Sequence, residues 1–325
     1  MPTPKAKSVC WGLKTVPECL PNLDVVGIGA AVYDTLMLTP SFPEEDTKLR
    51  SSRILFQGGG PCTTALVAMA KLGVKAGFIG AVGDDHAGDY IAHDLERFGV
   101  DTQYLLRRAG CISFYSFVIL NQSRSTRTCV AYPGTVPPTT EEELPVKVIQ
   151  NAKVLHLDGN NLPAAVHAAR IARAAGVPVC LDAGSPYPHI ETLLPFIDWL
   201  IPSEEFVRKF TGKSDVEAGA KMLYSEYKPS TLIVTQGVQG GFFCNADGIR
   251  RYSAFKVDAI DTNGAGDVFH GAFIAGRLKG MNETNAAVFA SAVSALKCTG
   301  FGARDSTPDF ERTLEFLKIR GYSEL

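Results

Sequence analysis

Acidic and amide side chains surround a short glycine-rich turn near the end of the chain. The stretch DTNGAGD covers residues 261–267, between an apolar segment that predicts a strand and another that predicts a helix. Small residues at a helix start leave its N–H groups open, and the helix dipole adds positive character, so such a turn binds anions. Asp267 could accept a proton from an attacking hydroxyl group. The same aspartate would also serve as an ordinary helix cap.

Phosphoryl transfer is the chemistry that this turn suits best. A phosphoryl group in transfer spreads negative charge over its oxygens, and the N–H groups of residues 264–266 would stabilise that charge. The better-known nucleotide motifs do not occur in the sequence. There is no GxxxxGK[ST] loop and no protein-kinase catalytic loop, and GIGAAV at 27–32 ends in valine where GxGxxG requires glycine.

Composition excludes several other classes of function. The chain has 325 residues with 46% hydrophobic and 20% charged residues, which is typical of a globular protein with a substantial core. A formal net charge of -2 gives no basic field for nucleic acid, and no apolar run is long enough to predict a membrane span. The 8 cysteines are scattered singly, so we predict buried, reduced thiols and a cytoplasmic location.

Strand and helix patterns alternate regularly after the prolines at 137–138. The strands are continuous apolar runs, which predicts an α/β fold: a doubly wound, mainly parallel sheet with helices on both faces. We predict a small N-terminal β-sheet lid formed by about 33–58 and 103–133, within one domain at 23–325. Residues 1–22 are predicted to be an extension ahead of it.

Polar and glycine residues directly follow many of the predicted strands. In open α/β sheets, ligands bind at the carboxyl ends of the strands. We therefore expect one shared cleft, formed by Asp34, Gly58–Gly60, Asp158, Asp182, Thr235–Gly237 and Asp261–Asp267.

The sequence resembles the ribokinase-like, or PfkB-type, carbohydrate kinases over about 23–310. The resemblance is carried by DTNGAGDVFHGAFI, GGGPCTTALVAMAKLG, FIGAVGDDHAGDYI and VTQGVQGG. The residues of these motifs are most similar to those of bacterial sugar kinases, including the sulfofructose kinase branch. It implies a kinase that uses ATP and Mg²⁺ to phosphorylate a sugar hydroxyl group. It also implies a lid that covers the sugar and often pairs two subunits into a homodimer.

The resemblance assigns roles to individual residues on the catalytic and sugar side. Asp267 matches the catalytic base and the turn before it matches the anion hole, while Asp34 and a di-glycine match the contacts to the sugar. The residues implied are Gly264, Ala265, Gly266 and Asp267 for catalysis, and Asp34, Gly58 and Gly59 for substrate binding.

Further positions match the family's nucleotide and cation sites. Thr235 and Gly237 fall at the nucleotide-phosphate turn, and small residues at Ala292, Ala295 and Gly302 fall where the family lines its adenine slot. In ribokinase-type members a monovalent cation sits beside the anion hole. The resemblance makes Asp261 and Asn263 the candidate ligands of such an ion, K⁺ being the expected activator.

The sequence departs from the family pattern at three places that bear on metal and substrate. Thr63 stands where the family has a sugar-binding Asn, and SEEF at 203–206 replaces an NxxE element that orders water around Mg²⁺, so Glu204 becomes the candidate for that role. Lys48 matches a lysine that kinases of anionic sugars carry. Their partner arginines are not found, since GCISF and LDGNN occupy those regions.

We therefore expect a kinase of a neutral pentose or hexose, including ketohexoses, acting on a primary hydroxyl group. The alternatives are a kinase of an anionic sugar, either a sugar phosphate or a sulfosugar, and a nucleoside kinase. A non-catalytic ligand-binding regulator is the remaining alternative, favoured only by the altered SEEF element.

Overall fold

The structure is a computed structural model that describes residues 22–124 and 126–322. Nearly all of the predicted N-terminal extension, with Cys10 and Cys19, lies outside the described residues. The strands are β1 (Val25–Ile28), β2 (Val32–Thr39), β3 (Arg53–Gly59), β4 (Ala76–Gly83), β5 (Asp101–Arg108), β6 (Phe114–Asn121), β7 (Thr126–Tyr132), β8 (Val154–Leu157), β9 (Val179–Ala183), β10 (Trp199–Pro202), β11 (Thr231–Thr235), β12 (Gly241–Asn245) and β13 (Gly248–Tyr252). The helices are α1 (Pro61–Lys71), α2 (His86–Arg97), α3 (Val146–Asn151), α4 (Leu162–Ala174), α5 (Glu204–Thr211), α6 (Val216–Tyr227), α7 (Ala265–Leu278), α8 (Glu283–Cys298) and α9 (Phe310–Ile319).

The larger sheet has nine strands in the order β13-β12-β11-β10-β9-β8-β1-β4-β5. The pairings from β11 through to β5 are parallel, and β12 and β13 add an antiparallel hairpin at one edge. Strands β1, β8 and β9 are buried along their whole length, as expected when helices cover both faces of a parallel sheet. The predicted doubly wound fold is confirmed.

The helices pack in two layers, one on each face of this sheet. One apolar cluster joins the sheet to α1, α2, α7 and α8, and a second cluster joins it to α3, α4, α5 and α6. Helix α7 therefore approaches the sheet from the same side as α1, and both begin at the carboxyl ends of the strands.

The strand order reverses at β1, which makes a crevice at the carboxyl end of the sheet. After β1 the chain forms two strands of the smaller sheet and α1, then continues to β4 on one side of β1. It later returns to β8 on the other side. Such a reversal is where open α/β sheets bind ligands. Asp158 follows β8 there and accepts a hydrogen bond from the N–H of Ala30, which follows β1, at 2.8 Å.

A separate four-stranded sheet has the order β3-β2-β6-β7 and corresponds to the predicted lid, so we call this sheet the lid. The predicted lid range of 103–133 is wrong at its start, because β5 pairs in parallel with β4 in the larger sheet. Because β5 is an edge strand, it is only partly buried. Its sequence therefore mixes polar and apolar residues, as the strands of the lid do. The inner face of the lid buries Leu36, Val118 and Leu120 against Phe301.

The cysteines follow the prediction of buried thiols only in part. Within 22–124 and 126–322, Cys62, Cys180, Cys244 and Cys298 are free and buried, whereas Cys111 is half-buried and Cys129 is exposed. None of the described helices combines the length and the apolar character that crossing a membrane requires.

Candidate active site

The glycine-rich turn forms the N-terminus of α7. Gly264 caps the helix with a φ of 73°, and an added Cβ would lie 2.6 Å from the Cβ of Ala303, so a side chain is excluded. Around Gly266 there is open space where a Cβ would project. The Ser294 hydroxyl donates to the Ala265 carbonyl at 2.8 Å and ties the turn to α8. Because the first N–H groups of a helix lack intrahelical acceptors, this end of α7 can bind an anion.

Asp267 lies in the first turn of α7 and is half-buried. Burial raises the pKa of its carboxyl group, and the nearby charge of Asp182 raises it further, whereas His270 and Arg127 lower it. The pKa is raised from 3.8 to about 7. A carboxylate with such a pKa is a suitable general base near neutral pH.

A buried pair, Asp182 and His270, lies beside Asp267. His270 Nε2 is 3.2 Å from Asp182 Oδ1, and both side chains are almost fully buried. Burial alone would raise the pKa of Asp182, but His270 and His156 hold it below its ordinary value. His270 had no role in the sequence analysis, although it follows Asp267 by three residues and so faces the same side of α7.

Asp158 completes a group of three carboxyl groups around the crevice. Its carboxylate accepts hydrogen bonds from the N–H groups of Ala30 at 2.8 Å, Cys62 at 3.1 Å and Asn160 at 2.8 Å. Burial nonetheless raises its pKa to about 6. These bonds join the ends of β1 and β8 to the start of α1, so Asp158 fixes the crevice beside Asp267.

Asp34 and Gly59, both predicted to contact the sugar, lie against each other on the adjacent strands β2 and β3. Asp34 lies on β2, is buried, and accepts a hydrogen bond from the Ser116 hydroxyl at 2.5 Å. Burial raises the pKa of Asp34, and the bond from Ser116 lowers it. A Cβ at Gly59 would overlap the Asp34 carboxylate, so glycine is what allows this close approach.

Gly58 faces the opposite way, against the buried guanidinium of Arg304. Arg304 donates to Asp94 at 2.6 Å, to the Gly59 carbonyl at 3.0 Å and to the Thr63 hydroxyl at 2.8 Å. Thr63, which replaces the family's sugar-binding Asn, is therefore fully buried in a hydrogen-bond network. The sequence analysis missed Arg304, because nothing in the sequence indicates that this arginine is buried.

A cavity of about 990 Å³ opens beside the α7 turn. Thr235, Gly237 and Ala295 line it together with Ala265 and Gly266, as the predicted nucleotide site requires.

Two of the predicted adenine-slot residues lie elsewhere. Ser291, Ala295 and Cys298 form the cavity face of α8, whereas Ala292 lies on the adjoining face and is fully buried. Gly302 is not among the residues that line the cavity. It lies against β3 of the lid, and the neighbouring N–H of Ala303 donates to Gln57 Oε1 at 3.1 Å.

Glu204 lies in the first turn of α5, directly after β10. It is half-exposed, its Oε2 accepts from Gln236 Nε2 at 3.4 Å, and it is 3.8 Å from Arg208. Ser203 caps the helix by accepting from the Phe206 N–H at 3.0 Å. Within the part of the chain that the structure describes, no group of three acidic, histidine or cysteine side chains could hold a metal ion. A role for Glu204 in contacting water around a metal stays a prediction.

Lys48 lies far from Asp34. It lines a second cavity of about 460 Å³ in the loop between β2 and β3, with Asn121 and Arg124 at the outer end of the lid. At roughly 3.3 Å per residue along β2, that loop begins some 16 Å beyond Asp34. Lys48 thus lies in the loop beyond the outer end of β2, and its contact with the substrate stays a prediction.

Asp261 and Asn263 do not fit the expected monovalent cation site. The Asp261 carboxylate already accepts the N–H groups of Asn263 at 2.8 Å and Gly302 at 2.9 Å, and its carbonyl accepts the ammonium of Lys297 at 2.7 Å. Two unit charges about 4 Å apart repel each other by about 4 kcal/mol at an effective dielectric constant near 20. A potassium ion beside the ammonium of Lys297 would face a repulsion of that order.

Comparisons with known proteins agree with this arrangement. The family described as pfkB family carbohydrate kinase matches residues 22–309. The chain is 27% identical to the ribokinase of Haemophilus influenzae over 298 residues, covering 90% of this chain and 97% of that protein.

Solved structures share the fold over nearly the whole chain. A putative ribokinase from Agrobacterium tumefaciens superposes with a TM-score of 0.83 at 30% identity, covering 91% of this chain and 97% of that one. A putative ribokinase II from E. coli, solved in complex with ATP and Mg²⁺, superposes with a TM-score of 0.80 at 22% identity, covering 91% and 99%.

Proposed function

We propose that this chain, which belongs to the pfkB family of carbohydrate kinases, transfers the terminal phosphoryl group of ATP to a primary hydroxyl group of a small neutral sugar. Membership of the family makes the chain a phosphotransferase. The observation that carries the proposal is Asp267, whose pKa is raised to about 7 at the open N-terminus of α7, beside a cavity of about 990 Å³.

The reaction follows from the charges around the turn. Asp34 accepts hydrogen bonds from sugar hydroxyl groups and sets the orientation of the sugar. As the acceptor oxygen forms its bond to the γ-phosphorus, Asp267 takes the hydroxyl proton, and the bond from phosphorus to the ADP oxygen breaks. The N–H groups of the turn at 264–266 stabilise the transferring group, and the lid keeps water from competing as the acceptor.

ATP is the proposed phosphoryl donor, and Mg²⁺ accompanies it. The E. coli structure that shares this fold holds both. Mg²⁺ would arrive with the nucleotide and would neutralise phosphate charge, since the described residues offer no cage of three acidic, histidine or cysteine side chains for it. We assign the ordering of its water to Glu204, which follows β10 and accepts a hydrogen bond from Gln236 at the end of β11.

A second candidate is an acceptor that carries an anionic group. Arg127 lies opposite Leu120 in the pairing of β6 with β7, so it projects from the same face of the lid as the inner residue Leu120. Its positive charge is near enough to Asp267 to lower the pKa of that carboxyl group. A phosphate or sulfonate on the acceptor would pair with Arg127 in place of the distant Lys48.

The nucleoside alternative would require a flat surface for the base within the lid. Beside Asp34, the inner face carries Gln57, Ser116 and Ala131 in register. Tyr33 lies on the other face, where it contacts the ring of Tyr90 at a centroid distance of 5.0 Å. Phe114, two residues before Ser116 on β6, lies on the inner face and is an aromatic side chain available to a base, so the nucleoside alternative stays open.

A panel of acceptors tests the proposed function. The purified protein is incubated with ATP and MgCl₂ and with ribose, deoxyribose, fructose, adenosine, ribose 5-phosphate, fructose 6-phosphate or a sulfosugar. ADP release gives the rate, and ³¹P NMR identifies the ester. A phosphate ester on a neutral sugar is expected. Turnover only with phosphate- or sulfonate-bearing acceptors, lost in Arg127→Gln, would establish the second candidate. No turnover with any acceptor would favour the non-catalytic regulator.

The outer face of the lid supports a homodimer. Ile54, Phe56, Phe117 and Val130 are exposed there and lie on paired strands, so a second copy could cover them as one apolar patch. Sedimentation measurements should show a dimer that Phe117→Asp dissociates. Ile319→Asp, at an exposed site on α9, is the matched control and should leave the mass unchanged.

A further inference from the structure

Lys297 is a buried lysine directly behind the anion-binding turn. It lies in the last turn of α8 and is fully buried. Its ammonium donates a hydrogen bond to the Asp261 carbonyl at 2.7 Å and lies 4.0 Å from Asp261 Oδ1. A buried charge is stable only when it is paired and hydrogen-bonded. Asp261 supplies both the countercharge and the acceptor.

Asp261 links Lys297 to the anion-binding turn through hydrogen bonds. Its carboxylate holds the N–H of Asn263, directly before Gly264, and the N–H of Gly302 on the facing segment. The backbone of Asp261 also donates to the Cys298 carbonyl at 3.2 Å. The position of the 261–266 turn relative to α8 is therefore set by the Lys297–Asp261 contact together with the bond from Ser294 to Ala265.

An ammonium group and a potassium ion carry the same charge and bind the same ligands, carbonyl and carboxylate oxygens. We propose that Lys297 is a resident cation, covalently part of the chain, which orders the anion-binding turn so that turnover requires no monovalent metal ion. This inference rests on the proposed kinase function. Lys297 does not touch the substrate; it is a positioning residue that acts through Asp261.

Cation titration of the unaltered protein is the first test. Initial rates are measured with KCl from zero to about 0.1 M, and choline chloride holds the ionic strength constant because screening alone changes exposed charges. Turnover should change by less than about twofold. Activation by KCl of about tenfold or more would overturn the proposal.

Removal of the ammonium is the second test. Lys297→Ala should lower kcat by about tenfold or more, with a smaller change in the KM for ATP, and K⁺ or NH₄⁺ should restore part of the loss. Lys71→Met is the matched control, since Lys71 also donates to backbone carbonyls, those of Arg304 and Asp305 at 3.0 Å each, but not to the turn. The turnover of Lys71→Met should not change when K⁺ or NH₄⁺ is added. Unchanged turnover of Lys297→Ala without added cation would overturn the proposal.

Thermal unfolding provides a measurement that does not depend on activity. The Tm of Lys297→Ala should rise in KCl relative to choline chloride, while the Tm of the unaltered protein should not. Equal responses of the two proteins would overturn the proposal. If no acceptor is phosphorylated, the proposed function fails while the melting comparison still tests Lys297. If Lys297→Ala does not fold, the KCl titration of the unaltered protein alone tests whether turnover requires a monovalent metal ion.

Discussion

Replacement of Asp267 by asparagine should abolish most turnover and at the same time stabilise the fold. The folded pKa of Asp267 is raised from 3.8 to about 7, so the folded state binds more protons than the unfolded state between these values. Stability therefore falls as pH rises through that window, because ionisation of Asp267 is less favourable in the folded protein. Asparagine cannot ionise and removes this loss.

The size of the effect follows from the pKa shift. A shift of roughly 3 units at about 1.36 kcal/mol per unit corresponds to about 4 kcal/mol. This is an upper bound, since the carboxyl group is only half-buried and water screens it. We expect Asp267→Asn to be more stable than the unaltered protein by up to that amount above pH 7, with little difference near pH 4. Loss of the general base should lower kcat by about 10² to 10⁴-fold.

Urea unfolding without nucleotide, at low and at high pH, gives the stability difference, and the ADP assay gives kcat. Asp247→Asn, at an exposed turn after β12, is the control and should change neither. A stability gain of equal size at both pH values would refute the assignment of the raised pKa to Asp267. Near-normal kcat in Asp267→Asn would refute its role as the base.

Three further substitutions test the surroundings of the site. Asp182→Asn removes a charge that raises the pKa of Asp267, so the acidic limb of the kcat/KM profile should move to lower pH; an unmoved limb would contradict this coupling. Gly59→Ala places a methyl group against the Asp34 carboxylate and should raise the KM for the sugar by about tenfold or more, with the KM for ATP as the internal control. Lys48→Met should leave the KM for the acceptor unchanged, because the loop that carries it lies at the outer end of the lid; a raised KM would mean that this loop reaches the substrate.

The sequence predicts those parts of the site that lie at strand ends and in contiguous motifs. The carboxyl ends of parallel strands meet at one edge of a sheet, which is why Asp158, Asp182 and the turn before Asp267 converge as expected. The family motif singles out both Asp34 and Gly59, although it does not show that the two lie against each other. Such features depend on which residues follow one another along the chain, and this can be read directly from the sequence.

The remaining features depend on burial and on helix rotation, which the sequence does not display. A lysine in the last turn of a helix is typical of a solvated residue interacting with the helix dipole, yet Lys297 is fully buried. Arg304 gives no sequence signal of burial either. Ala292 and Ala295 are equivalent small residues in the sequence, and only the rotation of α8 decides which of them faces the cavity.

The segment after α8 connects the lid to the turn at 261–266. Through Ala303 it is bonded to Gln57 of the lid, and through Gly302 it is bonded to Asp261 at the anion turn. If the proposed binding of a sugar shifts β3, these two consecutive residues would carry the shift to the turn at 261–266. By thermodynamic linkage, any increase in ATP affinity caused by the acceptor is matched by an equal increase in acceptor affinity caused by ATP. Under the proposed function, the two hydrogen bonds would couple the binding of the sugar to the binding of ATP.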